Sequence, residues 1–313
     1  MLNGGRWGRR GPFVLAAAAA AAAGLGVLAW RRLARRYPSL PDRTVGADGI
    51  VPGAEPIHLP ASGRRAALLL HGFGDTPQPL GHLAAHLHAH GWAVRAPLLP
   101  GHGRTLAAFS ESGCDDWIRH AREEFAALRR QHAVVAVVGL SMGGALATIL
   151  AGEADGKKMV ALALVAPYLS MPRTVRGLAR LHRVWAPVVP VVGSRGERSI
   201  LDDVERARSL AYGIVTGRLL RELLTVVDRA AAAAPHVTVR TLVVHSRQDI
   251  RIPAAAAQRA FDRLGAAEKR LEWVDDGGHV LTVDHGRDRV QALVAEWLEG
   301  TRASDDRRAV GDA

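Results

Sequence analysis

The chain has 313 residues, 48% hydrophobic and 23% charged, a globular balance that excludes a disordered or collagen-like protein. Its single cysteine, Cys114, excludes an internal disulfide and a paired-cysteine zinc site. The formal charge is +11, but seven arginines and no acid lie in residues 1–36, which leaves +4 for the rest; with no basic stripe interleaved with aromatics, nucleic acid is not an expected partner.

Between Arg10 and Arg31 run twenty uncharged residues, GPFVLAAAAAAAAGLGVLAW, which as a helix would span about 30 Å, the hydrocarbon thickness of a bilayer. Alanine is only marginally apolar, so Phe13, Val14, Leu15, Leu25, Val27 and Leu28 would carry insertion, while Trp30 and the flanking arginines suit the two interfaces. The expectation is a single-pass N-terminal membrane anchor within residues 1–36, its orientation undecided because the flanking arginines nearly balance. A cleaved secretory or twin-arginine export signal and an Ala-rich tail are the alternatives. Residues 37–65 hold Pro38, Pro41, Pro52 and Pro56 and read as linker and lead-in.

Beyond the linker, short apolar runs alternate with longer amphipathic ones. Ala66–Leu70, Trp92–Ala96, Val134–Leu140, Met159–Val165, Thr241–Ser246 and Lys269–Val274 read as strands; Val134–Val138 is apolar at every position, as a strand buried on both faces requires. Leu80–His90, Asp115–Arg130, Met142–Asp155, Ala254–Leu264 and Arg287–Leu298 read as helices. This alternation predicts an α/β fold, a mostly parallel central sheet with helices on both faces, built from residues 66–167 and 235–300. From 168 to 234 no strand is evident. It holds only helix-like segments such as Leu201–Ala211 and Gly217–Ala234, with a Pro/Gly-rich run at Trp185–Gly196, so the interval reads as an inserted helical cap. Residues 301–313 form a tail.

The strongest chemical signal is Gly139-Leu140-Ser141-Met142-Gly143, a G-x-S-x-G between an apolar strand and a helix. A serine on a sharp strand-to-helix turn sits in strained backbone geometry and needs glycines around it; the turn exposes the hydroxyl above the positive end of the next helix. Such a serine needs a base, and the base needs an orienting carboxylate. In hydrolases with this elbow the chain order is serine, acid, histidine, each after a later strand. Asp249 follows the strand Thr241–Ser246, and His279 follows Lys269–Val274 in the loop Asp275-Asp276-Gly277-Gly278-His279. Asp155, Asp202, Asp203 and Asp228 fall in helical or cap segments, and His182, His236 and His285 in or beside other elements.

Two main-chain N–H groups should bind the developing oxyanion, one from the residue after the serine and one from the loop after an early strand. Met142 supplies the first, and Phe73 in His71-Gly72-Phe73-Gly74-Asp75 supplies the second, with His71 expected to pack or hydrogen-bond beneath that loop. His82 and His86 are four apart on one helix face but have no third ligand nearby, so no metal site is expected. His279 and Asp284 form H-x-x-x-x-D, a spacing seen in some acyltransferases; here Asp284 is expected to cap the following helix. Cys114 reads as a small packing residue.

With these residues in place, the chain resembles an α/β-hydrolase, and more narrowly the bacterial carboxylesterase and monoacylglycerol lipase group, also described as serine aminopeptidase-like. The resemblance is carried by LLLHGFGD, APLLPGHG, DDW, VVGLSMGG, VVHSRQDIRIP and GGHVLTVD, within 66–167 and 237–298. It implies nucleophile Ser141, acid Asp249, base His279 and oxyanion amides at Phe73 and Met142. It implies hydrolysis of short- to medium-chain or monoacylglycerol esters through an acyl-enzyme, without metal or organic cofactor. The expected partners are a small-molecule or lipid ester and, through the N-terminal helix, a membrane; no protein partner follows from the residues. An aminopeptidase-like amidase, a lipid acyltransferase and a non-catalytic ligand-binding version of the fold are the competing readings.

Overall fold

A computed structural model describes residues 45–153, 155–189, 191–193 and 199–300. The chain runs through β1 (Ile57–Leu59), β2 (Arg65–Leu70), α1 (Gly81–Ala89), β3 (Ala93–Ala96), α2 (Leu106–Glu111), α3 (Cys114–Gln131), β4 (Val134–Leu140), α4 (Met142–Gly152) and β5 (Leu162–Val165). A long β5–β8 connection then carries α5 (Arg173–Arg180), α6 (His182–Trp185), β6 (Val191–Gly193), α7 (Asp203–Arg208), β7 (Ile214–Thr216) and α8 (Gly217–Ala233). Finally come β8 (Thr241–Ser246), α9 (Ala254–Asp262), β9 (Lys269–Val274) and α10 (Arg287–Glu299).

Seven strands form one sheet in the order β1-β3-β2-β4-β5-β8-β9, parallel throughout except for β1, which pairs antiparallel with β3. The apolar runs explain the layering. Successive strand residues point to opposite faces. Thus Leu68, Leu70, Val135 and Val137 join one buried cluster, and Ala67, Leu69, Ala136 and Val138 join the other. The first face is covered by α3, α4 and α8 through Trp117, Phe125, Leu146, Leu150, Leu224 and Val227. The second is covered by α1 and α10 through Leu83, Leu87, Val294 and Leu298. Each large side chain so buried stabilises the fold by about 1.5–3 kcal/mol. The expected parallel sheet covered on both faces is the fold observed.

Register aligns the strand ends. Gly139 lies beside Leu70, Leu140 beside Val165, and Ser246 beside Val274, so the carboxyl ends of β2, β4, β5, β8 and β9 share one edge of the sheet. Loops leaving that edge are where such sheets bind ligands.

Four features depart from the expectations. The lead-in contributes the edge strand β1, and the β5–β8 connection contains a two-stranded antiparallel ribbon, β6–β7, where no strand was evident. Helix α8, expected within the cap, buries Leu219, Leu224, Val226 and Val227 in the same cluster as α3 and α4 and thereby completes the layer over the sheet. The expected membrane localisation is overturned: among the described residues no helix is long and apolar enough to cross a membrane. The segment that raised that expectation lies outside the described residues, and its alanines and glycines gain little from transfer into hydrocarbon.

Candidate active site

The turn from β4 into α4 places Ser141 at φ 54° and ψ −116°, a region that residues with a Cβ rarely occupy. Neighbouring glycines make the turn possible. A Cβ on Gly143 would lie 1.9 Å from the Leu70 carbonyl oxygen, and one on Gly139 would lie 2.4 Å from the Gly143 carbonyl oxygen. The backbones of β2, β4 and α4 therefore meet where only hydrogen can stand, and the serine side chain is held out at the sheet edge.

Two other loops reach it. The His279 Nε2 atom lies 2.8 Å from Ser141 Oγ, and His279 Nδ1 lies 2.7 Å from Asp249 Oδ2. The second oxygen, Asp249 Oδ1, accepts the Arg251 N–H at 2.7 Å and the Ile252 N–H at 3.0 Å. Burial works against the Asp249 charge, but the hydrogen bonds it accepts from His279 and from the Ile252 amide outweigh it and hold the carboxyl below the usual carboxylate range. The acid is thus ionised at neutral pH. It fixes the imidazole with its Nδ1 proton facing the carboxylate and its Nε2 lone pair facing the serine.

The loop after β2 flanks the nucleophile on the other side. A Cβ on Gly72 would stand 3.5 Å from Ser141 Cβ, so this loop touches the serine directly. The Phe73 ring packs edge-on or tilted against His102, Phe109 and Trp117, which anchors the loop in an aromatic cluster. Met142 is the first residue of α4, so its N–H has no intrahelical acceptor. His71 sits beneath: its Nε2 accepts the Leu99 N–H at 3.0 Å, so Nδ1 carries the proton and donates to the Gly72 carbonyl at 2.9 Å. Burial lowers its pKa to about 4, consistent with this neutral bridging form.

Of the five residues singled out from sequence, Ser141, His279 and Asp249 are joined by hydrogen bonds, Met142 follows the serine at the start of α4, and Phe73 lies in the loop that touches the serine through Gly72. Asp284 departs from its expected role, and Cys114 keeps its own. Asp284 does not cap α10, whose first turn follows Gly286 without any side-chain cap; its fully buried carboxylate accepts four main-chain N–H groups instead. Cys114 is buried in the core, with burial pushing its thiol up to about 12, so it is a packing residue. Among the described residues no group of three His, Cys, Asp or Glu is placed to hold a metal ion.

One neighbour went unnoticed in the sequence. His245, fully buried in β8, has Nε2 at 2.9 Å from the Ile252 carbonyl and 3.5 Å from Asp249 Oδ2. It pins the loop that carries the acid, and its only sequence signal is a histidine inside an apolar strand.

A family profile described as serine aminopeptidase, S33, matches residues 61–286. The chain belongs to this family. A carboxylesterase from Bacillus subtilis (strain 168) is 25% identical over 238 residues, covering 76% of this chain and 93% of that protein. A thermostable monoacylglycerol lipase from Bacillus sp. (strain H-257) is 27% identical over 239 residues, covering 75% of this chain and 90% of the relative. Among solved structures, one of the metagenome-derived lipolytic enzymes LipS and LipT superposes with a TM-score of 0.73 at 26% identity, covering 80% of this chain and 99% of that one. The Paleococcus ferrophilus monoacylglycerol lipase, at 18% identity and a TM-score of 0.68 over 79% of this chain and 98% of its own, shares the fold. Within the family, the serine of the elbow, the strained turn and the strand-end histidine and aspartate all fall inside the matched region.

Proposed function

We propose that this chain is a serine hydrolase of carboxylic esters that works through an acyl-enzyme, with Ser141, His279 and Asp249 as the reacting groups. The observation that carries the reading is the unbroken hydrogen-bonded run from Ser141 Oγ through His279 to Asp249, with the serine held at positive φ. As Ser141 Oγ attacks the ester carbonyl carbon, its proton passes to His279 Nε2 and the carbonyl oxygen becomes an oxyanion facing the Phe73 and Met142 amides. The alcohol departs with the proton from Nε2. Water then attacks the acyl-enzyme, gives its proton to the same nitrogen, and Ser141 leaves with that proton as the carboxylic acid is released.

The names of the relatives, carboxylesterase and monoacylglycerol lipase, favour carboxylic esters, monoacylglycerols among them, over amides. The β5–β8 connection would then form the acyl pocket: Tyr212 N donates to the Gly74 carbonyl and the Ser199 carbonyl accepts the His279 N–H, so this segment contacts both loops beside the serine. A fluorophosphonate should label the protein rapidly, and Ser141→Ala should abolish the label. Label surviving in that variant would refute the assignment. Faster turnover of aminoacyl anilides than of p-nitrophenyl esters would refute the ester preference while leaving the reacting groups in place.

A further inference from the structure

Asp284 stands five residues after His279, fully buried, and its two oxygens meet four donors. Oδ2 accepts from Gly278 N at 2.7 Å and Leu201 N at 2.9 Å; Oδ1 accepts from Asp202 N at 2.9 Å and His285 N at 3.0 Å. An ionised carboxylate has about four acceptor sites, so this set saturates it. Gly278 belongs to the loop of the base, whereas Leu201 and Asp202 belong to the β5–β8 connection. Alongside, the Ser199 carbonyl accepts the N–H groups of His279 at 2.8 Å and Val280 at 2.9 Å. The loop is wrapped closely around the carboxylate: Gly277 has φ 130°, and a Cβ there would stand 3.2 Å from Asp284 Cβ.

We infer that Asp284 is a positioning residue for His279, fastening the base loop to residues 199–202 of the β5–β8 connection so that Nε2 stays on Ser141. The inference rests on the proposed roles of Ser141, His279 and Asp249. Charge-assisted bonds to main-chain amides are strong and directional, and here they cross between two segments about eighty residues apart in sequence. The base and the connection that borders the substrate are thereby held as one body. Asp284 is filled by amides while His279 Nδ1 is bonded to Asp249, so Asp284 is not the carboxylate paired with the imidazole, which counts against reading the H-x-x-x-x-D spacing as a catalytic pair.

Asp284→Asn tests this directly, because asparagine offers one oxygen only. Whichever way it turns, its NH2 faces two N–H donors, and one bond to the connection is lost in either orientation. With active sites counted by fluorophosphonate titration, kcat per site on p-nitrophenyl butyrate should fall about 10- to 100-fold, as expected for a displaced base, with KM within about twofold. A rate per site equal to wild type, whatever the loss of folded protein, would overturn the proposal. A second pair guards against a variant that does not fold. Asp202 has φ −64°, which proline adopts, and its side chain accepts from Val204 and Glu205 N–H at the start of α7. Asp202→Pro and Asp202→Ala both lose that cap, but only the proline lacks the N–H that reaches Asp284. Asp202→Pro should be at least about threefold slower per site than Asp202→Ala, the worth of one main-chain hydrogen bond. Equal rates would overturn the proposal. Label persisting in Ser141→Ala would instead condemn the underlying assignment, so the two failures are distinguishable.

Discussion

On the β2–β4 side of the candidate site the chain is held by contact distance, whereas on the β8–β9 side it is held by hydrogen bonds to two buried carboxylates. Gly139 and Gly143 allow the backbones of β2, β4 and α4 to touch, and aromatic rings pack beneath the Phe73 loop. Across the serine, Asp249 gathers the amides of Arg251 and Ile252, and Asp284 gathers those of Leu201, Asp202, Gly278 and His285. The nucleophile therefore depends on what is absent from a side chain, and the base on what a carboxylate can accept. Substitutions should separate the two: steric changes on one side should threaten the fold, and isosteric changes on the other should threaten the chemistry.

The largest effect is expected from Asp249→Asn. Its oxygen would turn to the Arg251 and Ile252 N–H donors, leaving the NH2 against His279 Nδ1. That forces the other imidazole tautomer, with a proton on Nε2 where the serine proton must go. Activity should fall on the order of 10⁴-fold in kcat while the melting temperature changes little. A small kcat loss accompanied by a large stability loss would erase the distinction between the two sides.

Gly143→Ala comes next. Its methyl would lie 1.9 Å from the Leu70 carbonyl oxygen, so β2 and α4 must separate, and the stability cost should exceed about 4 kcal/mol. Denaturant unfolding measures it; a variant folded as stably as wild type would show that the elbow is not sterically set.

The third effect concerns His71, whose pKa is lowered by burial from 6.5 to about 4. The unfolded chain binds its proton more readily, so between pH 6.5 and 4 stability should rise with pH and be lost on acidification. This one group contributes about 3 kcal/mol across that window. His71→Ala should make that part of the stability profile shallower by one group's share, because the buried His102 and His245 are shifted in the same direction and still contribute. An unchanged slope would place the acid sensitivity elsewhere.

Much of this molecule could be read from its residues, for reasons that follow the same division. Strands such as Val134–Leu140 announce themselves because a parallel strand covered on both faces must be apolar throughout. The elbow is legible because steric need writes glycine into particular positions. Hydrogen-bonded features leave fainter traces. Asp284 looks like any acid before a helix, and its four donors come from amides that every residue carries. His245 offered no periodicity to read. The three-residue strands β1, β6 and β7 are too short for alternation to register, and α8 has an apolar face whether it packs on a cap or on the core.

In the proposed reaction an ester's acyl group passes through covalent attachment to one serine. Mixing the protein with p-nitrophenyl butyrate, quenching with acid within the first turnover and mapping the modified peptide tests it most directly. The expected outcome is a burst of nitrophenol matched by one butyryl group per active chain, bonded to Ser141 Oγ. A butyryl group on any other residue, or full steady turnover by Ser141→Ala, would contradict it.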